Sequence, residues 1–263
     1  MIIDCHVHCV KPNDVDLLKK TSKAEKFINI RSIDIEELLK PFNFEEFANV
    51  ENMYYLDSVN LNNDIHEEIE KLNLNQNKFK NIVGIKIYLG YQHYYIDDDK
   101  VDFVVNFAKE KNLTVTFHCG EILNDDNESE YSVYSDVSNF DKLAKKFPDV
   151  NFVISHINWP NCDAIFKICN KFQNVYTCFS GCNDGETVEE KMQQNTIIKN
   201  ILINGLKKYP NLVNKLMYGT DFFSFRDEYA DVSSYLDLVD LLNLNNEDKE
   251  KILYLNTIKA YKL

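Results

Sequence analysis

The chain has 263 residues, 44% of them hydrophobic, which is enough to bury the core of one large domain. Its 42 acidic and 29 basic side chains leave a net charge of −13, a surface that repels phosphate backbones and excludes nucleic acid as a ligand. No apolar run approaches the roughly 20 residues needed to cross a bilayer, and seven cysteines without regular spacing argue against a disulfide framework.

Met1 leads directly into Ile2-Ile3-Asp4, with no basic region followed by an apolar signal segment, so a cytoplasmic protein with reduced thiols is expected. The first strand-like run is 2–8, reading IIDCHVH. The interval 10–52 is weakly patterned, and residues 26–31 (Lys-Phe-Ile-Asn-Ile-Arg) are its best candidate for a strand. A strand over 53–59 follows, then a helix over 64–73 and a strand over 82–88. Asp97-Asp98-Asp99 opens a helix over 98–111, where negative charge meets the positive helix end. Strands over 113–118, 151–156, 175–180 and 216–221 then alternate with helices over 136–147, 161–172, 186–208 and 230–243. A closing helix fits 247–261, again with an acidic start at Asn246-Glu247-Asp248.

Gly (7) and Pro (5) are scarce and no linker interrupts the chain, so one domain over 1–263 is expected. Apolar β-branched runs alternating with helices are the pattern of βαβ units and a parallel sheet. With 26–31 counted, the strands suit an α/β fold, a (β/α)8 TIM barrel abbreviated or distorted around its second strand. A doubly wound open sheet fits the periodicity equally well, and the polar residues must decide.

The chain has six histidines, and four of them end strand-like runs: His6 and His8, His118 in LTVTFH, and His156 in NFVISH. Asp221 ends LMYGTD in the same way. In a barrel the carboxyl ends of the strands share one mouth, so these imidazoles and the carboxylate would converge there. Nitrogen ligands plus a carboxylate are what a divalent metal site requires. Residues i and i+2 of a strand share a face about 6.6 Å apart, so His6 and His8 can lean onto one ion. Asp4 shares that face by alternation, and Cys5 and Cys9 are expected to point to the helix layer. Each residue alone has a plainer reading: a histidine packed in the core, or an aspartate capping a helix.

Taken together, HxH on the first strand, single histidines ending two later strands and Asp ending the last resemble the amidohydrolase superfamily of metal-dependent hydrolases. Gly84-Ile85-Lys86, the Tyr91-Gln92-His93-Tyr94 loop through Asp97–Asp99, His118-Cys119-Gly120, Gly219-Thr220-Asp221 and the closing helix with Asn256 are similar to its branch that includes aminocarboxymuconate semialdehyde decarboxylase. The resemblance implies one divalent metal, zinc or alternatively manganese, on His6, His8 and His118. It implies Asp221 on the metal or its water, as the group that handles the proton, and His156 beside the metal as a second catalytic group. A second metal enters only if Lys86 is carbamylated, as the corresponding lysine is in other branches. Lys86, Arg226 and Tyr91 are candidate substrate contacts. Cleavage of an amide, ester or lactone bond in a small molecule is expected, with non-oxidative decarboxylation as the rival and a non-catalytic binding barrel as a weaker one; a homo-oligomer is compatible with the sequence.

Overall fold

The computed structural model describes residues 1–35, 39–122, 132–183, 185–224 and 230–263. Among the described residues, nine short parallel strands form one ladder in the order β8-β7-β6-β5-β4-β3-β2-β1-β9. They are β1 (Ile3–His8), β2 (Lys26–Ile30), β3 (Met53–Ser58), β4 (Ile82–Ile87), β5 (Thr114–Phe117), β6 (Phe152–Ile154), β7 (Val175–Cys178), β8 (Leu216–Met217) and β9 (Phe222–Phe223). The two ends of the ladder are successive pieces of one segment. Its first part pairs with β7 and its second with β1, and between them Cys5 N–H donates to the Tyr218 carbonyl (3.1 Å) and Asp221 N–H to the His6 carbonyl (2.8 Å). The segment closes the sheet on itself, so the expected barrel is present and the open doubly wound alternative is not.

The weakly patterned 26–31 run is β2, paired along its length with β1 and β3. The interval 10–52 also holds a helix the periodicity did not reveal, α1 (Asp14–Ser22), which buries only Val15, Leu18 and Ser22. Of the other helices, α2 (Ile65–Lys78), α4 (Asp99–Glu110), α5 (Phe140–Lys146), α6 (Cys162–Lys171) and α7 (Val188–Lys208) fall between strands as expected, α3 (Leu89–Gln92) is an additional single turn after β4, and α8 (Ser234–Leu241), α9 (Asn246–Glu250) and α10 (Asn256–Tyr261) follow β9, the last two joined by a π turn. Their starts are chemically marked. The Asp98 carboxylate accepts from Lys100 N–H, and Thr187 and Glu190 form a reciprocal capping box. No helix among the described residues is long and apolar enough to cross a membrane.

Two apolar layers follow from strand alternation. The larger lies between strands and helices and takes in Val7, Cys9, Ile85, Ile87, Val115, Phe117 and Phe152. The smaller fills the barrel interior with Ile28, Ile30, Leu56, Val153, Tyr176, Cys178 and Met217, stoppered by Ala260 and Tyr261 of α10. On β5 the inner positions are Thr114 and Thr116, whose hydroxyls require partners once buried. The stopper supplies them: Thr114 Oγ1 donates to the Ala260 carbonyl (2.6 Å), and Thr116 Oγ1 shares a hydrogen bond with Tyr261 Oη (2.9 Å).

One expectation is corrected. The register of β1 on β2 slips between Asp4 and Val7, the signature of a bulge, and simple alternation fails across it. Val7 and Cys9 face the helices, but Cys5 turns inward and joins the interior cluster. All seven cysteines are buried and free.

Tyr261 is 2% exposed and combines apolar filling with a buried hydroxyl contact. Tyr261→Ala is expected to destabilise the protein by about 3–5 kcal/mol, in the range for emptying a buried aromatic site. Tyr261→Phe should cost only about 1 kcal/mol. Urea unfolding midpoints at constant slope measure both, and equal effects would show that packing at the stopper is unimportant.

Candidate metal centre

His6 and His8 end β1, and Asp221 precedes β9 in the closing segment, directly opposite them. His6 Nε2 stands 3.1 Å and His8 Nε2 3.4 Å from Asp221 Oδ1. Each of the three residues offers a ligand atom within 4.8 Å of the others, and all are buried. Oδ1 has no hydrogen-bond partner. A buried carboxylate oxygen without a donor is costly unless a positive charge meets it. Two imidazole nitrogens facing it at ligand-like spacing make that charge a cation, so this donor set fits a divalent metal.

The fixed orientations of these groups come from their neighbours. His8 Nδ1 is 3.0 Å from Ser32 Oγ, which also accepts from Tyr88 Oη (3.3 Å), and the His8 ring stacks on Phe223 at 4.4 Å. Asp4 accepts from Thr220 N–H (3.1 Å) and Thr220 Oγ1 (2.7 Å) and from His6 N–H, locking β1 to the closing segment. Asp221 has φ +65° and His156 φ +61°, left-handed backbone that turns both side chains into the mouth. Gly181, at φ +64°, lies against both: a Cβ there would stand 2.7 Å from Asp221 Oδ2 and 2.8 Å from His156 Nδ1. Gly219 is less tightly confined, since its Cβ would meet Cys5 Sγ at 3.1 Å and His6 Cβ at 3.2 Å.

His118 and His156 form a second pair. His156 Nδ1 is 2.8 Å from the Ser180 carbonyl, His118 Nε2 is 3.0 Å from the Glu121 carbonyl, and His156 Nε2 faces His118 Nδ1 at 3.1 Å. Each outer nitrogen meets a carbonyl, which only accepts, so the network assigns the N–H of each neutral ring outward. Two lone pairs are then left facing one another inside the site. His118 and His156 thereby present unprotonated nitrogens to the mouth, the form a metal or a proton requires. His156 is joined to the first group through Asp221, whose Oδ2 lies 4.0 Å from its Nδ1.

Burial controls the charges. It depresses His8 to about 4 and His118 to about 3, the latter with help from Lys86, and takes His156 well below its ordinary value. His6 goes the other way: burial opposes its proton, but the Asp221 carboxylate outweighs burial and raises it. Asp221 is likewise penalised by burial, yet His156 and His6 hold it well below the carboxylate range. Lys86 is fully buried, donates to Ser155 Oγ (2.8 Å) and lies 5.1 Å from the Tyr88 ring; burial lowers it to about 8.

The structure thus brings His6, His8 and Asp221 within ligand distance of one another, with His156 beside His6 and His118 beside His156, while His118 itself stands outside that ligand group. Tyr91 is half-buried with its ring 5.0 Å from that of His118, on one wall of the mouth. Trp159 packs partly against the helix-layer core, and its carbonyl accepts from Glu121 N–H. Arg226 lies outside the described residues. His66 and His93 are exposed and away from the centre. The sequence reading missed Ser32, Ser180 and Gly181. Ser180 ends its predicted strand as the histidines end theirs, and that position was the available signal.

A family model described as amidohydrolase matches residues 55–263. No curated protein matches the sequence. Among solved structures, an amidohydrolase from Burkholderia multivorans with bound zinc superposes with a TM-score of 0.68 at 11% identity, covering 100% of this chain and 99% of that one. A probable 2-pyrone-4,6-dicarboxylic acid hydrolase from Acinetobacter baumannii, with citric acid bound, gives 0.63 at 15% identity and covers 100% and 99%. A 5-carboxyvanillate decarboxylase from Novosphingobium aromaticivorans, complexed with manganese and a nitrobenzoic acid, gives 0.64 at 12% identity and covers 100% and 96%.

Gly181→Ala forces a methyl group against both Asp221 and His156 on a backbone that disfavours it. It is expected to weaken divalent metal binding by about 10–100-fold, the usual effect of disturbing groups that orient ligands. Competition with a chromogenic zinc chelator measures this, and an unchanged affinity would show that Gly181 does not shape the centre.

Proposed function

The chain belongs to the amidohydrolase family, and from that premise we propose that it is a metal-dependent hydrolase cleaving an amide, ester or lactone bond of a small molecule at one divalent ion, zinc or manganese. The observation that carries this reading is the buried, unpartnered Asp221 Oδ1 between the Nε2 atoms of His6 and His8. His6, His8, His118 and Asp221 would hold the ion, which when bound acidifies water and polarises a carbonyl. The protein's own groups do the rest. Asp221 stays ionised against burial, so it can accept the proton of the attacking water and deliver it to the leaving group. His156 is held by the Ser180 carbonyl with Nε2 unprotonated, and acts beside Asp221 as a second acceptor or as a group that orients the substrate. In this reading Lys86 is an unmodified ammonium that donates to Ser155, and a second ion would enter only with its carbamylation.

Substrate is drawn from small molecules, since the −13 net charge disfavours polyanionic polymers. Seven buried free thiols support a reducing, cytoplasmic setting. Non-oxidative decarboxylation is the second reading, favoured by the same Lys86 cation next to the ligand group.

Purified protein is expected to hold about one equivalent of zinc or manganese by elemental analysis. His6→Ala combined with His8→Ala should remove it, and normal metal content in that variant would overturn the assignment. His156→Ala should keep the metal while turnover on the best substrate from a panel of esters, amides and lactones falls by about 10²–10⁴-fold. Carbon dioxide release without incorporation of solvent oxygen would select the decarboxylase instead.

A further inference from the structure

Two residues on the inner wall of the mouth, Ser58 and Lys86, carry donors without an acceptor among the described residues. Ser58 ends β3, is 6% exposed, and its hydroxyl has no hydrogen-bond partner. The pairing of β3 with β4 sets Leu56 opposite Gly84 and Ser58 opposite Lys86. Leu56 belongs to the barrel-interior cluster, and a Cβ on Gly84 would strike it at 2.9 Å, so this face points inward. Ser58 and Lys86 occupy the next layer toward the mouth. Of the three N–H groups of the Lys86 ammonium, one reaches Ser155 Oγ, and the other two have no acceptor among the described residues. Buried donors of this kind are rare in folded proteins and call for a missing acceptor. Those around them are already spoken for: Ser32 serves His8 and Tyr88, and Ser180 serves His156 and Cys178.

We propose that Ser58 and Lys86 form a carboxylate-binding subsite beside the metal centre, with Ser58 Oγ–H and a Lys86 N–H donating to the oxygens of a carboxylate on the substrate. Ser58 is the specificity-determining member. A lone buried ammonium attracts any anion, whereas the added hydroxyl from the neighbouring strand fixes the plane of a two-oxygen group. The assignment rests on reading the mouth as the active site, and it does not need a metal to be present.

The probe is benzoate, with benzamide as its uncharged counterpart of similar shape, titrated calorimetrically into metal-stripped and zinc-loaded protein. Benzoate is expected to bind about tenfold or more tightly than benzamide in both forms, a difference worth about one charge-assisted contact. Ser58→Ala should weaken benzoate about fivefold, the loss of one hydrogen bond, and leave benzamide unchanged. Ser58→Thr restores the hydroxyl and should recover most of the affinity. Lys86→Met should erase the preference for benzoate, with circular dichroism confirming its fold. Equal binding of the two probes, no binding of benzoate, or a Ser58→Ala protein with undiminished benzoate affinity overturns the proposal. Because the metal-stripped protein gives the readout, absence of a metal equivalent would refute the hydrolase reading and leave this result standing.

Discussion

The buried carboxylate of Asp221 is the constraint around which the mouth is built. An ionised group with one unpartnered oxygen in a water-poor interior is unfavourable by several kcal/mol unless positive charge or donors meet it. The fold surrounds it with imidazole nitrogens from two directions. His6 and His8 approach from β1, and His156 approaches from the end of β6. None of this is local in sequence, because Asp221 lies in the segment that joins the last strand to the first. Closing the barrel and assembling the centre are therefore one event. The Asp4–Thr220 hydrogen bonds, which hold that closure, act on the centre without touching it.

Closure also explains the small residues. The closing segment must pass close to β1 and β7 while changing partners from one to the other. Gly219 fits tightly between Cys5, His6 and Ser180, and Gly181 fits under Asp221 and His156, where a Cβ would collide with both. The left-handed backbone of Asp221 then redirects its carboxylate toward the histidines. An aspartate tolerates that conformation better than most residues. Backbone strain, glycine placement and charge pairing are here three aspects of one geometric requirement.

Much of this was legible in the sequence because the chemistry sits at a topologically fixed place. His6, His8, His118, His156 and Asp221 all end apolar runs, and in a parallel barrel every such end opens on the same mouth. The parts that were not legible depend on register or on weak burial. Cys5 was misplaced because period-two alternation cannot register an extra residue, and the bulge between Asp4 and Val7 supplies one. The second strand was faint because its run is short and flanked by charged residues, although it pairs fully on both sides. The helix α1 was missed because it buries few apolar side chains and so leaves little periodic signal. Ser180 and Gly181 carry no distinctive chemistry in one dimension; only contact with His156 and Asp221 reveals what they do.

The proton inventory gives the site its directionality. His156 and His118 each spend their N–H on a backbone carbonyl, and those carbonyls cannot reciprocate. Both rings then turn lone pairs toward the mouth, and burial disfavours a second proton on either. Lys86 works in the opposite sense on the same floor: it keeps a proton-bearing cation in place with donors to spare. The mouth is thus divided into an arc of acceptors, made by β1, β5, β6 and the closing segment, and an arc of donors on β3 and β4.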